Sequence, residues 1–258
     1  MNDWERHRDA WLQGLARITR DAGALILDIY RTDFAVRGKQ DQSPVTEADE
    51  RAEKLIVPAL LAMAPGVPVV AEEAVAAGRI PEVQDLFWLV DPLDGTKEFI
   101  GRNGEFTVNI ALVHRGRPVL GAVLAPALER LFLGDVGRGA WLEDAAGRRE
   151  IRCRAAPREG LTVVASRSHG DAAALDAFLA GRRVASLVGA GSSLKLCLIA
   201  AGEADLYPRL GRTMEWDIAA GHAVLAAAGG TVCDLSGQAL GYGKPGFDNP
   251  HFVAAGRV

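Results

Sequence analysis

The chain has 258 residues, 49% hydrophobic and 24% charged, with a formal net charge of −4. That length can bury a sizeable core as one large domain or two smaller ones. The mild acidic balance excludes the basic footprint of a general nucleic-acid binder. Cys153, Cys197 and Cys233 are odd in number and lack C-x-x-C spacing, which points to a reducing compartment with neither a disulfide framework nor a zinc site. Cys197 lies in an apolar helical stretch and reads as core. Asp3, Glu5, Arg6 and Arg8 precede the first apolar run, and no run reaches transmembrane length. The expectation is a cytoplasmic protein without secretory signal or transmembrane segment.

Trp11, Leu15, Ile18, Ala22, Leu25, Ile26 and Ile29 recur at three- and four-residue steps, which predicts an amphipathic helix over 5–31. Residues 32–45 are polar and broken by Gly38, Ser43 and Pro44, so they read as a loop. A second helix is expected over 47–63. Thr46 with Asp49 three residues on forms a capping pair at its start, although Asp suits that place less well than Glu or Gln. Residues 67–71 read as a short strand running into Glu72-Glu73, and 74–85 as a surface loop.

Phe87 to Val90 has the aromatic and β-branched character of a buried strand. It leads into Asp91 and Asp94, separated by Pro-Leu and followed by Gly95-Thr96. Proline cannot donate to a ladder and glycine admits unusual backbone angles, so the strand is expected to stop and turn here. Thr96-Lys97-Glu98 then opens a helix. The runs 106–113, 119–124, 130–133 and 139–142 read as an antiparallel meander. Arg148, Arg149, Arg152, Arg154 and Arg158 form a basic cluster, read as a solvated face near a domain junction.

From about residue 160 the pattern alternates. Strands are expected at 161–165, 184–188, 204–207, 230–233 and 252–254, and helices at 171–180, 192–201 and 216–228. The division drawn is an N-terminal α+β domain over 1–158, carrying most candidate ligands, and a C-terminal α/β domain over 159–258.

Each acid also has a plain structural reading. Asp94-Gly95 is a common turn, Glu72-Glu73 a solvated pair, Asp49 a helix cap, and Asp217 a carboxylate favouring a helix start. Together they read differently. Glu72, Asp91, Asp94 and Asp217 each sit at the end or start of a regular element, and four carboxylates meeting in one cleft repel unless divalent cations neutralise them. Mg²⁺ prefers such oxygen ligands, usually with substrate phosphate. No G-x-S-x-G elbow, P-loop lysine or C-x-x-C motif suggests a covalent route. Lys195 and Arg209 suit a second phosphate, with surface charge as the alternative.

These residues carry a resemblance. AEE at 71–73, DPLDGT at 91–96 and WDIAAG at 216–221 are similar to the Mg²⁺-dependent, lithium-sensitive phosphomonoesterases of the inositol monophosphatase superfamily. SPVTEAD at 43–49, DGTKEFIGRNGEFTVNIALV at 94–113, SRSH at 166–169 and GSSLKLCLIAAGEADLYPR at 191–209 resemble one branch, the bacterial 3′(2′),5′-bisphosphate nucleotidases of sulfate assimilation. Lys97-Glu98-Phe99 distinguishes that branch, since inositol monophosphatases usually carry a second threonine or an asparagine after DGT. The only departure noted is Glu47, bulkier than usual there.

The resemblance implies a layered αβαβα sandwich, α+β in its first half and α/β in its second. It implies that Glu72, Asp91, the Leu93 carbonyl, Asp94 and Asp217 bind two or three Mg²⁺ ions. Gly95 and Thr96 would offer backbone N–H groups to the scissile phosphate. Asp49, Glu72 and the Thr96 hydroxyl would serve catalysis, and His169, Ser192, Lys195 and Arg209 would hold the nucleotide. Substrate contacts extend to Leu93, Asp94 and Asp217. The implied substrate is a small molecule, adenosine 3′,5′-bisphosphate, cleaved to AMP and phosphate by an enzyme that is a monomer or homodimer, with no nucleic-acid polymer as partner. Its place is the cytoplasm, free or peripheral to the inner face of the cell membrane. The rival readings are a related inositol, sugar or histidinol phosphatase, and a non-catalytic sensor of bisphosphate nucleotides.

Overall fold

Helix α1 (Asp3–Tyr30) buries Trp11, Leu15, Ile18, Ala22 and Ile26 along one stripe, as the spacing predicts. It packs beside α2 (Glu47–Met63), which buries Ala48, Ala52, Ile56 and Leu60. Both belong to a computed structural model that describes residues 3–38, 44–167 and 172–257. Thr46 caps α2 by accepting from Ala48 N, while Asp49 accepts from Thr46 N, so the predicted capping pair is present. Where a loop was expected, β1 (Val36–Gly38) and β2 (Pro44–Thr46) pair antiparallel. Three-residue strands without apolar alternation leave no signal in the sequence.

Strand β3 (Val69–Ala71) runs parallel to β4 (Leu86–Asp94), and the short helix α3 (Glu72–Ala76) opens the segment between them. β4 does not stop at Val90. It continues to Asp94, with a register shift between Asp91 and Asp94 that sets Pro92 and Leu93 in a bulge where no ladder N–H is needed. After α4 (Thr96–Ile100) the chain forms the expected meander: β5 (Thr107–His114), β6 (Arg117–Ala125), β7 (Arg130–Asp135) and β8 (Gly139–Asp144). An unforeseen edge strand, β9 (Gly147–Ile151), follows. Its arginines are exposed and ion-paired, Arg148 to Glu143 and Arg149 to Asp144, a charged edge that discourages further pairing.

The second sheet holds β10 (Leu161–Ser166), β11 (Val184–Ala190), β12 (Leu206–Arg209), β13 (Thr231–Asp234) and β14 (Phe252–Ala255). Its helices are α5 (Ala172–Leu179), α6 (Leu194–Ala200) and α7 (Glu215–Ala227). Among the described residues the first sheet has the order β3-β4-β5-β6-β7-β8-β9 and the second β11-β10-β12-β14-β13. β10, β11 and β12 are parallel, and β14 is antiparallel to both its neighbours.

Alternation along the strands sorts the core into layers. Trp88, Val90, Ile110 and Leu112 face α1 and α2. Phe87, Leu89, Ala111 and Val113 face the opposite way, toward α6, α7 and the inner side of the second sheet. Val163 and Leu206 on that sheet's outer side pack with Phe178 and Leu179 of α5. The result is the expected αβαβα sandwich. Arg154, expected on a solvated face, instead pins the start of the second sheet: Nε and Nη2 each reach a carboxylate oxygen of buried Asp205 at 2.8 Å, and Nη2 also donates to Thr162 Oγ1 at 3.0 Å. No helix among the described residues is long and apolar enough to cross a membrane.

Helix α7 lies against β5, β6 and β7 of the first sheet, although it follows the strands of the second. Gly121 of β6 and Gly134 of β7 are direct cross-strand partners under it. A Cβ at Gly121 would lie 2.4 Å from Ala220 O, and one at Gly134 2.5 Å from Val224 Cα. Both obstacles are helix backbone and cannot rotate away, so Gly121→Ala or Gly134→Ala should each cost about 2–3 kcal/mol in urea denaturation.

Further along α7, buried His222 places Nδ1 2.8 Å from the Tyr242 hydroxyl. Burial, with a smaller effect of Arg117, holds its pKa down at about 4 against an ordinary 6.5. The unfolded chain therefore binds the extra proton first as pH falls, and stability is lost from about 6.5 down to 4. Between pH 7.5 and 5 the parent chain should lose about 2 kcal/mol more than His222→Gln, measured by denaturant titration at both pH values.

Candidate metal and phosphate site

The bulge that ends β4 gives Asp91 and Asp94 their directions. Asp91 faces Asn109 across the ladder and Asp94 faces Thr107. Asp91 Oδ1 accepts from Leu93 N at 3.0 Å, tying the carboxylate to its own bulge. Asp94 Oδ2 accepts from Ser193 N at 2.6 Å and from Asn109 Nδ2 at 3.3 Å. Glu72 enters from the first residue of α3, and its carboxyl is within hydrogen-bonding reach of Asp91. Asp217 arrives on the first turn of α7, where Oδ2 accepts from Met214 N at 2.8 Å. Its role as a helix-start carboxylate is real, and it occupies one of the two oxygens.

Glu72, Asp91, Asp94 and Asp217 therefore lie near enough to feel one another's charge. Burial, then the charges of Glu72, Asp94 and Asp217, push the Asp91 carboxyl well above the usual range. Burial, then Asp94 and Glu72, do the same to Asp217. Asp94 is raised by burial as well, against the pull of Lys195 and the Ser193 N–H. Such a cluster is unfavourable by itself and favourable around a hard cation, and its donors are all oxygens, so the residues fit Mg²⁺. Among the described residues no three His, Cys, Asp or Glu side chains already close around one point. One oxygen of each aspartate is turned to a backbone N–H instead.

Asp49 caps its helix with one oxygen and reaches the end of β4 with the other. Its Oδ2 accepts from Thr46 N at 2.8 Å and Thr46 Oγ1 at 2.7 Å, capping α2, while Oδ1 accepts from Thr96 Oγ1 at 3.2 Å. The same hydroxyl lies 3.4 Å from the Leu93 carbonyl. Asp49, Thr96 and the Leu93 oxygen thus form one line at the strand end. Gly95 sits between strand and helix at φ 87, the left-handed region glycine tolerates, and a Cβ there would crowd Glu105 O and Ser192 Cβ at 3.3 Å.

Above these acids opens a cleft of about 300 Å³, lined among others by Glu72, Asp94, Thr96, Ser192, Lys195, Arg209 and Asp217. Lys195 is buried, and Nζ donates to the carbonyls of Ala190 at 3.1 Å and Ser192 at 2.6 Å. Burial lowers its pKa to about 8, with Asp94 acting the other way. Arg209 Nη2 donates to Arg212 O at 2.9 Å, and the guanidinium hydrogen-bonds the Tyr207 hydroxyl. Ser192 stands at φ 45, a left-handed backbone that a non-glycine residue rarely adopts. His169 lies outside the described residues.

Three buried polar residues here, Thr107, Asn109 and Ser193, were not foreseen. Ser193 Oγ donates to Asn109 Oδ1 at 2.7 Å and lies 3.0 Å from Thr107 Oγ1. The signal was present: Thr107 and Asn109 are polar at two-residue spacing in an otherwise apolar strand, on the face buried toward α7. Glu105 was also missed. It accepts from Gly191 N at 2.8 Å and from Arg167 Nη2 at 2.9 Å, clasping the loop before Ser192.

Comparison with known proteins agrees with this architecture. The chain matches the inositol monophosphatase family over residues 7–257. It is 45% identical over 244 residues to the 3′(2′),5′-bisphosphate nucleotidase CysQ of Salmonella typhimurium, covering 93% of this chain and 98% of that one. For the Escherichia coli protein of the same name the identity is 46% with the same coverage. Among solved structures, CysQ from Bacteroides thetaiotaomicron superposes with a TM-score of 0.81 at 36% identity, covering 96% of this chain and 98% of that one. A Thermotoga maritima IMPase gives 0.79 at 28%, covering 98% and 92%. With its family match spanning nearly the whole chain and its fold shared throughout, this protein belongs to the inositol monophosphatase family.

Proposed function

We propose that this chain is a Mg²⁺-dependent phosphomonoesterase that transfers the 3′-phosphate of adenosine 3′,5′-bisphosphate to water, giving AMP and inorganic phosphate. The observation that carries the reading is the meeting of Glu72, Asp91, Asp94 and Asp217 under a cleft walled by Lys195 and Arg209. Relatives 45% and 46% identical over 93% of the chain, named as 3′(2′),5′-bisphosphate nucleotidases, support the substrate. Residues 1–158 and 159–258 are the two proposed halves, the second supplying Asp217 and the nucleotide wall.

Glu72, Asp91, Asp94, Asp217 and the Leu93 carbonyl would hold the cations, two or three in number. Bound there, Mg²⁺ supplies charge neutralisation at the phosphate and a lowered pKa for the attacking water. The chain's own groups do the rest. Thr96 Oγ1, already donating to Asp49 Oδ1, is placed to take a proton from the incoming water as its own passes to Asp49. The Gly95 and Thr96 N–H groups face the scissile phosphate in this reading. Lys195 gives fixed positive charge from beneath the Ser192 loop, and Ser192, Arg209 and His169 hold the nucleotide with its remaining 5′-phosphate.

Phosphate release should depend on added Mg²⁺ and run at least about tenfold faster on adenosine 3′,5′-bisphosphate than on inositol 1-phosphate, as kcat/KM. A reversed ratio would move the protein to the inositol branch of the family. Asp91→Asn should cut turnover at least about a hundredfold. Because it removes one of several repelling charges, that variant should melt, without metal, at or above the parent temperature. Near-parental turnover in it would end the reading. Asn109→Asp should set a new carboxylate against Asp94 and lower kcat/KM at least about tenfold, read in the same assay.

A further inference from the structure

Helix α2 carries two buried acids one turn apart, Asp49 and Glu53, exposed by 1% and 7%. Residues four apart share a helix face. Asp49 uses that face to reach Thr96, whereas Glu53 has no part in the chemistry above. Its Oε2 accepts from Glu73 N at 2.8 Å, across 20 positions of sequence, and the Ala74 N–H is directed at the same carboxylate. These are the second and third residues of α3, whose N-cap is Ala71 and makes no side-chain cap. The first N–H groups of a helix find no partner within it. Glu53 supplies that partner from a different helix.

The consequence falls on Glu72. α3 has five residues, none of them buried, so packing alone does not fix its orientation. The hydrogen bond at Glu73 N anchors the Glu72–Glu73 peptide itself, and with it the direction in which the Glu72 side chain leaves the backbone. α2 therefore braces two parts of the cleft from one face: the threonine at the end of β4 through Asp49, and the first turn of α3 through Glu53.

We propose that Glu53 is a positioning residue, which holds the first turn of α3 so that Glu72 meets Asp91 and thereby sets how tightly the site takes up Mg²⁺. This rests on the reading of Glu72 as a metal ligand. Groups that orient a ligand typically alter metal affinity 10–100-fold when lost.

The test titrates Mg²⁺ alone into the full chain by calorimetry and follows the Mg²⁺-induced rise in melting temperature, for the parent, Glu53→Gln and Glu53→Asp. Glutamine keeps an acceptor of the right reach without the charge; aspartate keeps the charge but is one methylene too short. Glu53→Gln should bind Mg²⁺ within about threefold of the parent, and Glu53→Asp about 10–100-fold more weakly. The Mg²⁺ concentration for half-maximal phosphate release should shift by the same factor. The kcat at saturating Mg²⁺ and the KM for nucleotide should stay within about threefold of the parent. Parental Mg²⁺ affinity in Glu53→Asp, or a weaker site in Glu53→Gln than in Glu53→Asp, overturns the proposal, the latter by giving the role to charge. A parent that takes up no Mg²⁺ at all overturns the metal reading of Glu72 with it.

Discussion

The close seating of α7 on the first sheet is the constraint from which the site follows. Asp217 belongs by sequence to the second half of the chain, yet it joins acids held by β4 and α3. It can do so because the helix comes down on two cross-strand glycines, Gly121 and Gly134, with backbone against backbone. A side chain at either place would lift α7 and carry Asp217 away from Asp91 and Asp94. The glycines bear no chemical group of their own, and their effect on the site is one of distance.

Each aspartate at the site has a second task, and this is how repelling charges are kept in place. Asp91 holds its own bulge through Leu93 N, Asp94 holds the Ser193 N–H, Asp217 caps α7, and Asp49 caps α2. In every case one oxygen is fixed to backbone, so the other has few directions left. Hydrogen bonds from N–H groups to a carboxylate are among the stronger ones in proteins. They offset part of the cost of burying the cluster and leave its carboxylates ordered in advance.

Much of this was readable from the chain. The apolar runs at 87–90 and 106–113 mark the core strands, and the acids stand out because each lies at the end or start of a regular element. What could not be read depended on contacts between distant segments. The bulge at Pro92-Leu93 needs the partner strand β5 to define it, so from sequence alone the proline reads as a stop. β9 and the β1–β2 pair are polar and short, and tertiary pairing alone makes them strands. Sequence shows the capping partner of Asp49, three residues away, but not Thr96, which lies 47 residues on and meets the other carboxylate oxygen only through the fold. Charge alone makes Arg209 and Lys195 stand out in the sequence, and only the structure shows how far each is engaged by its own loop.

The clasp made by Glu105 bears on how a substrate enters. Glu105 holds Gly191 N and Arg167, Asp94 holds Ser193 N, and Asn109 accepts from Ser193 Oγ, so the loop is tied down on either side of Ser192, at Gly191 and Ser193. The two walls of the cleft cannot swing apart like a jaw without breaking all of these bonds at once. Whatever enters the cleft then comes through a standing opening between walls already spaced apart, and its fit is closer to lock and key than to closure.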